Sequence, residues 1–372
     1  MQDRPTNSHA ARKAKPQLLP PAADRPQLAT AAPGSRWARL GHWLGPVMAL
    51  GLIVLAVVVL REVTHEITLA AVRKAVRAVP LAHILASLGL AVLAMMTMGL
   101  YDVLSCKIAG LRHVPVRLAA VAGFCGYALA NALGFHIILG GTVRYRIYIA
   151  NGLTAQQIAQ ILALSLGTIW LSVAAVVAVV FMLEPAMIPL FRWAPAATQA
   201  VGAGLGLALL ALIVWLWPGR SSISILGWRF PVPNGPGAIA QTALGVIDFG
   251  LAAGALYVLL PGDLQPAFLP FSLIFITAFL AGALSHSPGG LGVLEAGILL
   301  GLGAVNRPDA VAALVVFRLT YYIVPFLVAV AALVVMETFR YDRPWRTFWR
   351  PAAITAALGL LVVLLLVLTR KN

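Results

Sequence analysis

The chain has 372 residues, of which 61% are hydrophobic and only 10% charged, with a mean hydropathy of +0.92. That balance excludes a soluble globular domain and defines an all-α, polytopic integral membrane protein. The formal net charge of +15 does not signal nucleic acid, because the basic residues sit in the N-terminal tail and in short loops beside apolar spans and form no continuous face.

Residues 1–40 are rich in Pro, Ala and Arg and lack an apolar core, so they read as a disordered basic cytoplasmic tail ahead of a single transmembrane domain, 41–372. A helix needs roughly 20 apolar residues to cross the hydrocarbon core. Seven stretches qualify, at 43–60, 81–101, 158–183, 198–217, 239–260, 310–336 and 354–368. Within 61–80, apolar residues alternate with Glu66, Arg73, Lys74 and Arg77 in the pattern of an amphipathic helix, lying at the interface or in solvent.

Two further apolar stretches, 118–146 and 268–303, carry glycine breaks: Gly140-Gly141 follows His136 in the first, and Pro288, Gly289, Gly290 and Gly292 follow His286 in the second. Irregular backbone at membrane depth survives only where it is buried in protein or lines a wet cavity. Loop charge decides how these stretches run. If each crossed the membrane once, the loop with Arg220 and Arg229 would fall outside; if each enters and returns, on opposite sides, the basic loops at 107–117, 220–229 and 340–350 all lie inside. Two oppositely oriented re-entrant hairpins are therefore expected, a recurring transporter arrangement. Arg73, Lys74 and Arg77 are the misfit, since they then lie outside. Trp43, Trp345 and Trp349 read as interfacial anchors.

A charge within a span needs a reason, since an Arg at the helix centre costs about 2.5–3.5 kcal/mol on insertion scales. Arg144 and Arg146 follow the Gly-Gly pair, where a restarting helix would aim donors at a phosphate; headgroup anchoring of the hairpin explains them also. Glu295 opens an apolar helix and would cap it, bind a cationic headgroup, or pair with Arg318, with Arg144 as another partner if the hairpins meet. Asp248 is alone in its span, a site for a proton or cation or a hydrogen-bonded neighbour of another helix. His136 and His286 would titrate or cap the breaks. Ser285 and Ser287 flank His286 without an oriented third partner, so no catalytic residues are assigned. Cys106 and Cys125 show no metal-ligand spacing, and no phosphate-binding GxxxxGK[ST] loop occurs; no metal or cofactor is expected.

Three elements taken together are familiar: Gly140-Gly-Thr-Val-Arg-Tyr-Arg-Ile-Tyr148, Ser287-Pro-Gly-Gly-Leu-Gly-Val-Leu-Glu295 and Phe317-Arg-Leu-Thr-Tyr-Tyr-Ile-Val-Pro325. From about residue 43 to 336 the chain resembles the transmembrane domain of the lysylphosphatidylglycerol synthase/flippase (multiple peptide resistance factor) family. The resemblance implies a flippase in the cell inner membrane that carries phosphatidylglycerol-type or aminoacylated phospholipid between leaflets and thereby supports cationic peptide resistance. The family's soluble lysyltransferase domain is not expected, as the sequence stops at Asn372 after one more apolar span. The implied partners are anionic or aminoacylated phospholipid, a separately encoded lipid synthase, or a second copy in a homo-oligomer. A membrane scaffold for such a synthase and an intramembrane lipid-modifying transferase are the other readings.

Overall fold

The computed structural model describes residues 69–134, 136–185, 194–219, 222–225, 228–285 and 287–338, all within one compact unit. The expected spans at 43–60 and 354–368, the tail, the three anchoring tryptophans, Arg220, the 340–350 segment and His286 lie outside the described residues.

The helices are α1 (Leu69–Ala78), α2 (Leu81–Ile108), α3 (Val116–Leu133), α4 (His136–Ile149), α5 (Ala155–Leu183), α6 (Pro195–Leu216), α7 (Gly235–Tyr257), α8 (Phe268–Leu284), α9 (Val293–Gly301), α10 (Pro308–Phe317) and α11 (Val324–Thr338). One two-stranded antiparallel ribbon, β1 (Ile223–Ile225) with β2 (Trp228–Phe230), lies between α6 and α7. Among the described residues, six helical runs are long and apolar enough to cross a membrane: α2, α3, α5, α6, α7 and the continuous run Pro308–Val334. α8 is apolar but shorter. The amphipathic segment forms α1, which packs on α10.

Local chemistry sets the breaks. Thr154 accepts from the Gln157 N–H while the Gln157 side chain accepts from the Thr154 N–H, a capping box that starts α5. Asn234 caps α7 in the same sense. Pro325 has no N–H for the carbonyl four residues back, and the chain widens into a π turn, Arg318–Ile323, in which the Val324 N–H reaches Leu319 O. The wider turn lets Tyr321 and Tyr322 both be buried, with the Phe317 ring stacked on Tyr321 at 5.0 Å between centroids.

Two of the apolar stretches fold back on themselves. A Cβ placed on Gly140 would lie 3.3 Å from Gly126 O, and Arg144 Nη2 reaches Gly123 O at 3.5 Å, so α4 runs antiparallel along α3. Likewise Gly297 approaches Ala278 and Gly301 approaches Ile274, which makes α9 antiparallel to α8. The spanning run α10–α11 records how the hairpins are disposed: Phe275 of α8 packs on Phe317, and Cys125 of α3 meets Ala329 O at 3.8 Å, further along. Each hairpin therefore covers its own half of that helix. The core divides in the same way, one cluster around α7, α8, α9 and α10 and a second around α3, the end of α4 and α11.

The breaks differ from the expectation in one respect. Gly140 and Gly141 lie inside the continuous helix α4, and the first reversal is made at Gly134, whose φ of 76° and ψ of −165° suit glycine. Gly140 instead permits the close approach to α3. In the second hairpin Gly289, Gly290 and Gly292 have φ of 58°, 63° and 82° around a 3-10 turn, Pro288–Gly290.

One face gathers the ends of α2 and α6 and the start of α7: Ile108 lies beside Gly237, and Trp217 beside Gly235. This face bears Lys107, Arg112 and Arg117. The opposite face holds the α7–α8 and α9–α10 connections, joined where Arg307 binds Asp263 at 2.7 Å. Lys74 of α1 lies on that opposite side, beside Pro261 and Pro308. Exposed Leu207, Leu210 and Val214 on α6 present an apolar surface suited to lipid.

Candidate functional site

The two hairpin tips meet. A Cβ on Gly289 would lie 3.3 Å from Ala132 O and 3.4 Å from Asn131 O, so the second tip rests on the last carbonyls of α3. Three buried or half-buried carboxyls surround this junction.

Asp102, fully buried on α2, binds Arg144 of α4, with Arg144 Nε 3.0 Å from Oδ1 and 2.9 Å from Oδ2. Tyr148 Oη donates to Asp102 Oδ2 at 2.9 Å, and Ser165 Oγ donates to Oδ1 at 3.3 Å. Arg144 also donates to Gly140 O and Gly123 O, and its Cζ lies 4.2 Å from the Tyr127 ring centroid. All three of its nitrogens are thus occupied, and a phosphate would have to displace one of these contacts. Arg146, two residues on, leaves the helix on roughly the opposite side, as about 100° per residue requires, and is half-buried.

Glu295 of α9 binds Arg318 of the π turn, Nε to Oε1 at 2.6 Å, and its Oε2 accepts from the Gly292 N–H at 2.8 Å. Arg318 Nη1 donates to Gly289 O, and the guanidinium lies 4.5 Å from the Tyr322 ring centroid. Arg318 Nη2 is buried without a hydrogen-bond partner among the described residues.

Asp248 of α7 is buried, with Thr97 Oγ1 2.7 Å from its Oδ1 and Tyr101 Oη 2.9 Å from its Oδ2. It faces a cavity of about 50 Å³ shared with Tyr101, Tyr127, Asn131 and Tyr321. A neighbouring void of about 10 Å³ touches Asn131, Gly290 and Tyr322. A water needs about 10–15 Å³ of such space, so together they admit a few waters and no phospholipid headgroup. A larger cavity of about 920 Å³ opens on the face opposite the basic loops, between α1, the start of α2 and the α7–α8 connection, with Lys74, His83 and Asp309 on its walls.

Of the sequence candidates, Glu295 and Arg318 come together, while Arg144 pairs with Asp102, a residue the sequence reading passed over. A span ended at Tyr101 leaves Asp102 just outside it, whereas the helix continues to Ile108. Continued hydropathy beyond Asp102 was the available signal. Only the backbone of His136, the first residue of α4, is described. Ser285 Oγ and Ser287 Oγ lie 2.8 Å apart, and each also bonds a backbone carbonyl, Gly282 O and Leu291 O respectively, so the hydroxyls tie down the tip.

These features define a polytopic helical membrane protein with two helical hairpins meeting over buried ion pairs. The chain is 30% identical over 248 residues to protein slr0712 of Synechocystis sp., which spans 66% of this chain and 77% of that protein, and it belongs to the same membrane protein family. It is 28% identical over 310 residues to the inner membrane protein YbhN of Escherichia coli, covering 82% of this chain and 94% of YbhN. A shorter match, 33% identical over 116 residues, is to the phosphatidylglycerol lysyltransferase of Staphylococcus xylosus, 30% of this chain and 13% of that enzyme. No protein-family model matches the sequence. The apolar helices and the likeness to YbhN support a multi-pass inner-membrane location.

Proposed function

We propose that the protein is a lipid translocase that lets the headgroup of an anionic or aminoacylated phospholipid pass between the two hairpins while its acyl chains stay in the bilayer. The observation that carries this reading is the meeting of broken hairpin tips, Gly289 on Asn131 and Ala132, beside charged side chains within membrane-length helices. Lipid cannot satisfy such groups, so charges held there serve a polar path or each other. The match to enzymes named for phosphatidylglycerol supports that lipid class.

In this mechanism the tips part, the buried voids join, and the penalty for drawing a charged headgroup through hydrocarbon is avoided. Arg318, whose Nη2 has no hydrogen-bond partner among the described residues, meets the phosphate. Arg144 and Arg146 receive it from the face of Lys107, Arg112 and Arg117, which the positive-inside rule assigns to the cytoplasm, the N-terminal tail lying on that side too. Glu295 receives a cationic amino group when the lipid carries one. The 920 Å³ cavity serves as the vestibule on the other side.

The test is leaflet exchange of fluorescent phosphatidylglycerol and its lysyl derivative in liposomes holding the purified protein. Exchange faster than in empty liposomes, reduced at least severalfold by Arg318→Gln in folded protein, is expected. Failure to move either lipid sinks the translocase reading, and a lipid synthase that then co-purifies with the chain favours a scaffold.

A further inference from the structure

Hydrogen atoms can be counted around Asp248. Thr97 Oγ1 lies 2.6 Å from Ala94 O and 2.7 Å from Asp248 Oδ1, both hydrogen-bond distances. A threonine hydroxyl has one proton and a backbone carbonyl has none to give. The one Thr97 proton is thus shared between Asp248 Oδ1 and Ala94 O, the latter being the common bond of a mid-helix threonine back to its own helix. A carboxyl that carries its own proton relieves this sharing, because it can donate to Thr97 Oγ1 and leave the threonine proton to Ala94 O. Tyr101 Oη supplies the proton for Asp248 Oδ2.

The surroundings agree with this count. The titratable groups facing Asp248 are Tyr101 of α2, Tyr127 of α3 and Tyr321 of the π turn; α5 presents Ile169, and α8 presents Phe275 and Phe279. No Lys, Arg or His among the described residues lines this cavity. Asp102 and Glu295 each hold an arginine at 2.6–3.0 Å and receive further N–H or O–H donors, as ionised carboxylates require. An ionised Asp248 would be a buried charge without a counter-ion, which a protein interior penalises heavily.

We propose that Asp248 is a proton-binding site at the junction of the hairpins, held as the neutral acid when the tips are closed and releasing its proton when they part. On release the carboxyl O–H bond breaks and the proton passes to water in the adjoining cavity. The carboxylate left behind is held by the Tyr101 hydroxyl and by Thr97, whose O–H swings from Ala94 O to Oδ1. Coupling of this proton to lipid movement rests on the translocase reading; the proton itself does not.

Infrared spectroscopy of the full chain in lipid nanodiscs at neutral pH tests the site directly. The native protein should show the C=O stretch of a protonated carboxyl that shifts in D₂O; Asp248→Asn should lose it, and Thr97→Val should keep it at a changed frequency. Absence of the band from native protein, its survival in folded Asp248→Asn, or an unchanged frequency in Thr97→Val overturns the assignment. The last variant decides the matter if Asp248→Asn does not fold. Liposomes carrying a pH difference then test coupling: native exchange should change severalfold with the gradient, and Asp248→Asn exchange should ignore it. Gradient-independent native exchange removes the coupling, whereas no exchange at all removes the translocase reading and leaves the infrared result standing.

Discussion

Arg318 holds Glu295 by its Nε at 2.6 Å and the carbonyl of Gly289 by its Nη1, so one guanidinium fastens the second hairpin's break to the first turn of its returning helix. The same break is tied locally by Ser285 and Ser287, whose hydroxyls reach Gly282 O and Leu291 O, and by the Gly290 N–H on Ser287 O. An arginine in a neighbouring spanning helix thus joins these local ties in fixing the shape of the tip.

Arg318→Ala should destabilise the protein by about 3 kcal/mol, since removing one member of a largely buried pair strands the other. Arg318→Lys should recover only part of this, as an ammonium cannot serve Glu295 and Gly289 with the same planar fork. Thermal unfolding in detergent measures both, and equal stability of all three proteins would show that the pair does not hold the tip.

The Asp102–Arg144 pair predicts a double-mutant cycle. Asp102→Asn and Arg144→Met should each cost about 3–5 kcal/mol, while the double variant should cost clearly less than their sum, because neither charge is then left unmatched. Additive losses would mean that the two side chains stabilise the fold independently.

Gly126 tests the same pair sterically. A Cβ there would come within 2.7 Å of Arg144 Nη1 and 2.9 Å of its Cζ, so Gly126→Ala should push the guanidinium away from Asp102. The expected loss is about 1–3 kcal/mol, typical of overpacking. Gly250→Ala, which meets nothing within 4 Å, is the matched control and should be neutral or slightly stabilising. Unfolding midpoints of the two variants that coincide would contradict the packing described for Arg144.

The cap at Thr154 is separate from the junction. Thr154→Ala removes the oxygen that accepts from Gln157 and should cost about 1 kcal/mol. Exchange of lipid per folded molecule should not change, because the capping box lies at the helix end near the basic face. A fall in exchange without a fall in folded protein would extend the functional region to that face.

Hydropathy by itself determined the all-helical membrane class, the five spans that fall within the described residues and the existence of two broken stretches, because lipid forces every spanning segment to be long, apolar and internally hydrogen-bonded. Local rules also marked Pro288–Gly292 and the reversal it makes. The tertiary structure alone decided what Gly140 and Gly141 do: a glycine needed for positive φ and one needed for close helix contact look the same in sequence. Pairing was decided there too. Asp102 and Arg144 are 42 residues apart and Thr97 and Asp248 are 151 apart, and which carboxyl finds a cation depends on which helices the hairpins bring together.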